Sequence, residues 1–166
     1  MSFPAFIGRR TELKLLSDLW ASDKAQLLLL YGRRRVGKTR LLTHWHSQNS
    51  PSESTTAHRT LYWVATPSSA LDQLRSFSQA IYNFANPSAP APAEFTYATW
   101  EQAWQQVANL AHQERLALFV DEFTYLLEVE PSLAGVFHTA WEHLLRETNL
   151  LVGLSGSPLS LRRSHA

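Results

Sequence analysis

The 166-residue sequence contains no cysteine, so disulfides and thiolate metal sites are excluded and a reducing compartment is the natural default. No apolar run approaches the roughly eighteen residues that a membrane-spanning helix needs. The first residues also lack the charged-then-apolar pattern of a secretion signal. A formal net charge of +1 gives no electrostatic argument for nucleic-acid or membrane binding. These absences predict a cytoplasmic protein without a membrane segment, and the length suits one domain with a substantial core.

Metal-ligand spacing is also missing among the seven histidines. His44 and His46 are two residues apart, which places them on different sides of a predicted helix and favours surface polar roles. Positive charge is clustered at residues 33–35 and at Arg162 and Arg163. For the first cluster, a solvated loop surface and extra positive potential beside a phosphate are both open.

The most informative segment is 27–39, LLLLYGRRRVGKT, where an apolar strand runs into the pattern G-x-x-x-x-G-K-[ST]. Glycines at both ends let the backbone curl around an anion, so that successive N–H groups point at the α- and β-phosphates. Lys38 can reach the β- and γ-phosphates, Thr39 can ligate Mg²⁺, and the following helix directs its positive dipole end at the same phosphates. An ordinary glycine-containing turn is the alternative. The pattern predicts a Walker A loop for a nucleotide, with these binding residues: Gly32, Arg33, Arg34, Arg35, Val36, Gly37, Lys38, Thr39 and Arg40.

A second apolar run, LALFVDE at 116–122, ends in two carboxylates and has the form of a Walker B strand. Continuous apolar runs such as this one and 27–30 predict central strands of a parallel sheet, buried on both faces. Ligands bind at the carboxyl ends of such strands. Asp121 would hold Mg²⁺ through its water shell, and Glu122 would orient and deprotonate the attacking water. Taken alone, the same pair also fits a helix cap followed by a first-turn acid.

Strands and helices alternate along the chain, which predicts a βαβ protein. Helices are predicted at 11–20, with Thr11 as N-cap, and at 38–47, 69–84, 99–113 and 132–146. Strands are predicted at 27–31, 60–66, 116–122 and 149–154. The third helix has Ser68 or Ser69 as cap and a buried stripe that includes Leu71 and Leu74. The Pro/Ala segment 86–95 is predicted to be a surface connection.

The last predicted strand ends in Ser155-Gly156-Ser157. In a P-loop sheet, a strand that lies beside both the Walker A and the Walker B strands delivers a polar residue between them, near the γ-phosphate and the attacking water. Ser155 or Ser157 could be that residue. A Ser/Gly turn after the strand is the alternative for either serine.

Four motifs together resemble the archaeal-type ATPases related to the AAA+ and STAND groups. They are FIGR with EL at 6–9 and 12–13, GRRRVGKT at 32–39, FVDEFTYL at 119–126 and LSGS at 154–157. The resemblance implies a P-loop NTPase of the ASCE type, in which one strand separates the Walker A and Walker B strands. The expected fold is a three-layer α/β/α sandwich with a mostly parallel sheet. By similarity, Ile7, Gly8 and Arg9 lie near the adenine; a helix cap is the other interpretation of that segment.

Members of this family continue past the sensor strand with an arginine-bearing helix, a fifth strand and a helical lid. The chain is therefore expected to be one ATPase core domain over 1–166, truncated after the sensor strand, with an adenine-side segment at 1–26 and the nucleotide-binding core at 27–166. Neither Arg162 nor Arg163 is assigned as an arginine finger. A fragment and a chain that depends on a partner are both consistent with this ending.

The sequence thus predicts a domain that binds Mg-ATP and hydrolyses it to ADP, as the motor or switch of a larger assembly, with a homo-oligomer or protein partner. A non-catalytic nucleotide-binding module is the second hypothesis. A GTPase is disfavoured because no N-K-x-D-type segment follows the Walker B strand. A small-molecule kinase is weaker still, because no kinase lid is visible.

Overall fold

A computed structural model describes residues 10–31, 41–42, 44–45 and 59–156. Several predicted features lie outside these residues: the adenine-side segment 7–9, the Walker A loop 32–40, His46, Ser157 and the two terminal arginines. Their assignments stay predictions. No helix in the described ranges is both long and apolar enough to cross a bilayer.

Ten elements follow one another along the described residues. They are α1 (Arg10–Ala21), β1 (Gln26–Tyr31), β2 (Thr60–Val64), α2 (Ala70–Ala85), α3 (Trp100–Gln113), β3 (Leu116–Asp121), α4 (Phe123–Val129), α5 (Leu133–His143), a 3₁₀ turn (Leu145–Glu147) and β4 (Leu150–Gly156). Leu41, Leu42, His44 and Trp45 are helical as well, as predicted for the residues after the Walker A loop. The side chains of Ser69 and Thr99 cap α2 and α3 by accepting hydrogen bonds from the backbone N–H groups of Asp72 and Gln102.

The four strands form one parallel sheet in the order β1-β4-β3-β2. β4 therefore lies between β1 and β3, which confirms the single intervening strand that the resemblance implies. All residues of β3 are buried, as its continuous apolar sequence predicts, and all residues of β4 are buried as well. This order brings the carboxyl ends of β1, β4 and β3 side by side at one edge of the sheet.

Helices cover both faces of the sheet, which confirms the three-layer α/β/α prediction. On one face, α2, α3, α4 and α5 pack on the side chains of Leu118, Val120 and Val152. On the other face, Leu16 of α1 and Trp45 pack on Phe119 and Leu151. Both clusters are apolar, and burial of such side chains is the main source of folding free energy.

A glycine in β4 sets the contact between the sheet and the helical residues after the loop. A Cβ added at Gly153 would lie 2.6 Å from Cδ1 of Phe119, so only glycine lets that ring cross the neighbouring strand. The ring of Phe119 in turn meets Trp45 edge-on, with 5.7 Å between centroids. This contact fixes the helical residues after the Walker A segment against β3, the strand that ends in the two carboxylates.

Arg115 anchors α1 to the sheet. Its guanidinium donates to the carbonyl oxygens of Leu19, Trp20 and Lys24 at 2.7, 2.8 and 3.0 Å, and it lies 5.0 Å from the ring centroid of Trp20. These carbonyls belong to the end of α1 and the following turn, where a helix leaves acceptors unpaired. Burial lowers the pKa of Arg115 from its usual value, and the nearby charge of Asp23 opposes that shift.

Three sequence predictions about these elements are wrong in detail, and one helix was missed. Thr11 cannot be an N-cap, because α1 already begins at Arg10 and a cap lies outside the helical backbone. Leu71 is 75% exposed, because it lies in the first turn of α2 at the margin of the stripe centred on Leu74 and Phe77. The helix predicted at 132–146 stops at His143 and continues as a 3₁₀ turn. Helix α4 was not predicted, because its seven residues are too few to show an apolar period.

The prediction that β1 is a central strand, buried on both faces, is also wrong for the described residues. β1 pairs only with β4 there and forms an edge of the sheet. Leu27 and Leu29 are 37% and 53% exposed. An apolar run is buried only where another layer covers it, and the described part of the chain leaves these two side chains partly open.

Candidate functional site

Asp121 is the last residue of β3 and is only 1% exposed. Side chains alternate along a strand, so its carboxylate lies on the same face as Phe119, which contacts Trp45. Residues 32–40, the predicted Walker A loop, directly follow β1 in the sequence and precede the helical residues that pack on this face. The Asp121 carboxylate is therefore buried at the carboxyl ends of the strands, where residue 32 follows β1. It lies on the face of the sheet that the helical residues after residue 40 cover.

Three donors from different parts of the fold reach the Asp121 carboxylate. The Ser155 hydroxyl of β4 donates to Oδ1, and the backbone N–H of Glu122 donates to the same oxygen at 2.9 Å. The Tyr62 hydroxyl of β2 donates to Oδ2. A buried carboxylate needs such partners, because burying a charge without them costs several kcal/mol or more. The donors hold the carboxyl group in one orientation, and three neighbouring strands contribute to it.

Glu122 has a left-handed backbone conformation, with φ 55° and ψ 40°. It is the one non-glycine residue with positive φ in the described ranges, and such a conformation costs about 1–2 kcal/mol for an L-residue. The conformation turns the chain from β3 directly into α4 and aims the Glu122 N–H at the carboxylate before it. Oε2 of Glu122 is buried and has no hydrogen-bond partner among the described residues. A carboxylate oxygen that is enclosed and unpaired is suited to accept a proton or a hydrogen bond from a ligand.

Thr124 and Gly156 meet beside Ser155. A Cβ added at Gly156 would lie 2.6 Å from Cγ2 of Thr124, so the glycine allows α4 to pack directly on the end of β4. Thr124 is 3% exposed, and its hydroxyl has no hydrogen-bond partner within the described part of the chain. Thr124, Ser155 and Gly156 line a cavity of ≈ 70 Å³ that Leu29 borders from β1. That volume has room for water next to the unpaired Thr124 hydroxyl.

The residues present fit a magnesium ion that is shared with phosphate oxygens. The described ranges contain no group of three or more His, Cys, Asp or Glu side chains that would form a metal cage. Magnesium keeps several waters and is usually bound by one or two carboxylates together with substrate phosphates. A single buried carboxylate, Asp121, at the edge predicted to bind phosphate has the chemistry of such a site.

A larger cavity of ≈ 580 Å³ lies at the opposite edge of the sheet, beyond the C-terminal ends of α2 and α3. Its cation, Arg59, is already used within the fold: it pairs with Glu114 at 3.4 Å, donates to the Leu110 carbonyl at 3.3 Å and lies over the Phe84 ring. Burial raises the pKa of Tyr97 in the same cavity, and Tyr82 contributes. This cavity is a packing feature remote from the two carboxylates.

The structure brings together three of the residues that the sequence singled out: Asp121, Glu122 and Ser155. Ser155 lies inside β4 and contacts Asp121, so the turn interpretation is wrong for this serine. Sequence reasoning missed Tyr62 and Thr124. The strand register could have identified Tyr62, because it faces Phe119 and so lies two positions short of Asp121 on the same side of the sheet.

A family model described as an ATPase domain predominantly from Archaea matches residues 6–165. The chain belongs to this family. The match covers nearly the whole sequence. The chain is therefore an archaeal-type P-loop ATPase domain, which is a nucleotide-binding domain.

Similar proteins share the fold of this ATPase domain. An uncharacterized protein of Methanocaldococcus jannaschii is 22% identical over 156 residues, which are 94% of this chain and 30% of that protein. Among solved structures, a Walker-type ATPase of Pyrococcus abyssi has a TM-score of 0.65 at 18% identity, over 94% of this chain and 47% of its own. The Aeropyrum pernix ORC2 protein, solved as ADPNP-ADP complexes, has a TM-score of 0.62 at 17% identity, over 94% and 43%. The ATPase domain therefore spans less than half the length of each.

Proposed function

We propose that this ATPase domain binds Mg-ATP at the carboxyl edge of β1, β4 and β3 and hydrolyses it to ADP and phosphate. One observation carries the proposal: Asp121 is buried at the end of β3 and is joined to Ser155 of the strand between β3 and β1. A buried carboxylate held in one orientation, at the sheet edge where we expect phosphate to bind, is suited to bind a hydrated metal ion that also contacts the phosphate.

Nucleotide binding is assigned to the Walker A segment 32–40. Its backbone N–H groups would contact the phosphates, Lys38 would supply a point charge to the β- and γ-phosphates, and Thr39 would supply a hydroxyl ligand to the metal. The neighbouring side chains of Arg33, Arg34, Arg35 and Arg40 would add positive potential. Ile7, Gly8 and Arg9 are proposed to contact the base, on the resemblance alone.

Hydrolysis is assigned to the residues at the end of β3. Glu122 would accept a proton from the water that attacks the γ-phosphorus, and its buried, unpaired Oε2 supports that role. Asp121 would hold a water of the metal shell, and bound magnesium would neutralise charge on the transferred phosphoryl group. Ser155 would act as the polar sensor between the strands, with Ser157 as the other candidate.

The turnover is proposed to switch or drive a larger assembly. Contacts made with the γ-phosphate order one arrangement of a P-loop domain, and loss of those contacts on hydrolysis releases it. The carboxyl edge contains the elements that would respond, since α4 starts directly at Glu122 and packs on β4 through Thr124 and Gly156.

The experiment that tests the proposal is calorimetric titration of the chain with ATP and with GTP in Mg²⁺. Lys38→Ala should weaken ATP binding by more than about tenfold, because the ammonium contributes a charge-assisted contact of more than about 1.4 kcal/mol. Lys24→Ala is the matched control, because Lys24 is exposed in the turn before β1. ATP binding that is equally tight in Lys38→Ala would overturn the site, and GTP binding tighter than ATP would overturn the base preference.

A further inference from the structure

Tyr62 reaches the carboxylate site from the opposite side to Ser155. It belongs to β2, the strand next to β3 on the side away from β4. Its backbone pairs in register with Phe119, and its side chain extends along the strand so that the hydroxyl donates to Oδ2 of Asp121. The ring packs against the apolar cluster that contains Phe119 and Trp45. Tyr62 thus combines an apolar body with a polar tip at the site.

The two Asp121 oxygens are held by different strands. Ser155 and the Glu122 N–H donate to Oδ1, and Tyr62 donates to Oδ2. Rotation of the carboxyl group would break hydrogen bonds on both sides at once. A hydrogen bond to a charged group contributes more free energy than one between neutral groups, so each donor stabilises the orientation of the carboxyl group.

We infer that Tyr62 is a positioning residue for the Asp121 carboxylate and sets the affinity of the site for magnesium. The inference rests on the proposed function, in which Asp121 faces the metal shell. In this inference Tyr62 acts through Asp121, to which its hydroxyl donates. Neither the sequence motifs nor the family match assigns it a role. With the hydroxyl in place, the carboxylate is already oriented when the ion arrives, and the ion binds without first having to fix that orientation.

The test is the Mg²⁺ dependence of ATP binding by Tyr62→Phe, which removes one oxygen and keeps the ring. ATP affinity is measured by calorimetry across a series of free Mg²⁺ concentrations and in EDTA. We expect the half-saturating Mg²⁺ concentration to rise about tenfold or more, the effect of losing one hydrogen bond to a charged group. ATP affinity in EDTA should stay within about twofold of wild type, because the Walker A contacts are untouched.

Tyr97→Phe is the matched control. Tyr97 packs on the opposite face of the sheet, with the α2 and α3 cluster, so its Mg²⁺ dependence should equal that of wild type. Thermal unfolding is recorded for each variant alongside the titration. A purely structural Tyr62 would lower the unfolding midpoint and leave the half-saturating Mg²⁺ unchanged. Tyr62→Met, which also removes the hydroxyl and keeps apolar volume, should show the same Mg²⁺ shift and replaces Tyr62→Phe if that variant does not fold.

The outcomes separate the two proposals. Wild-type protein whose ATP affinity does not respond to Mg²⁺ overturns the proposed function and this inference with it. If the ATP affinity of wild type rises with Mg²⁺ and the Tyr62 variants have the same half-saturating Mg²⁺ concentration, only the positioning role is overturned. A shift in the Tyr62 variants and none in Tyr97→Phe supports it.

Discussion

The hydroxyl of Ser155 donates a hydrogen bond to Oδ1 of Asp121 and so links the neighbouring strands β4 and β3 at their carboxyl ends. Both residues are 1% exposed. The bond links the last residue of β3 to the strand that separates it from β1. It is the structural reason to treat these two positions as one site.

Removal of the Ser155 hydroxyl should weaken the fold as well as the site. Ser155→Ala leaves a buried carboxylate short of one donor, which costs about 1–3 kcal/mol of unfolding free energy. Denaturant unfolding measures it, with Ser132→Ala as control, because Ser132 is exposed and its hydroxyl donates to Oε1 of Glu130 away from the site. The proposed sensor role adds a loss of ATP turnover, with ATP affinity retained when Mg²⁺ is saturating. A variant with wild-type stability and turnover would contradict both roles.

Gly156→Ala should push α4 away from β4. The added Cβ would lie 2.6 Å from Cγ2 of Thr124, and such overpacking typically costs about 1–3 kcal/mol. Gly135→Ala is the control: it lies in α5 with nothing within 4 Å of its added Cβ, so it should stabilise by about 0.5–1 kcal/mol through helix propensity. Denaturant unfolding compares the two variants.

The contact with Thr124 can be tested by a double-mutant cycle. Thr124→Ser removes the methyl group that the new Cβ would meet, so Gly156→Ala combined with Thr124→Ser should recover most of the lost stability. Strictly additive effects of the two changes would show that the clash lies elsewhere.

Much of this fold was predictable from the sequence, because its strands are continuous apolar runs that end in chemically distinctive residues. The parallel sheet and the burial of β3 follow from that pattern, as does the expectation that Ser155 or Ser157 of the last strand lies between the strands that end in the two predicted Walker motifs. The hydrogen bond between Ser155 and Asp121 was not predicted. The left-handed backbone of Glu122 was not predictable, since it is imposed by the direct turn into α4. The Tyr62 contact depends on register between strands that are far apart in sequence. The exposure of Leu29 depends on which layers cover β1, and apolar periodicity does not contain that information.

Arg115 should be more important for stability than its position at the start of a strand suggests. Arg115→Ala removes three hydrogen bonds to the end of α1 and the following turn, together with the contact with Trp20, and we expect the free energy of unfolding to fall by about 1.5–3 kcal/mol. Arg75→Ala should cost less than about 0.5 kcal/mol, because its ion pair with Asp72 is exposed. Equal effects of the two substitutions on chemical denaturation would show that α1 is held by its apolar contacts alone.

Glu122→Gln should separate binding from turnover. ATP affinity should remain within about threefold, and turnover should fall about 100-fold or more, the usual contribution of a general base. Glu128→Gln, in α4, should retain turnover. Phosphate release and ATP titration on the same samples give both quantities, and full activity in Glu122→Gln would remove this residue as the base.

The most direct test of the account is ATP titration of wild type and Asp121→Asn, with Mg²⁺ and with EDTA. Asparagine keeps the shape of the side chain, and its amide oxygen can still accept a hydrogen bond from Ser155. Its NH₂ group can donate a hydrogen bond to the Tyr62 hydroxyl. We predict equal ATP affinity for the two proteins in EDTA, and a gain in affinity from Mg²⁺ for wild type only. The same gain in Asp121→Asn would contradict the claim that this buried carboxylate is the metal side of the nucleotide site.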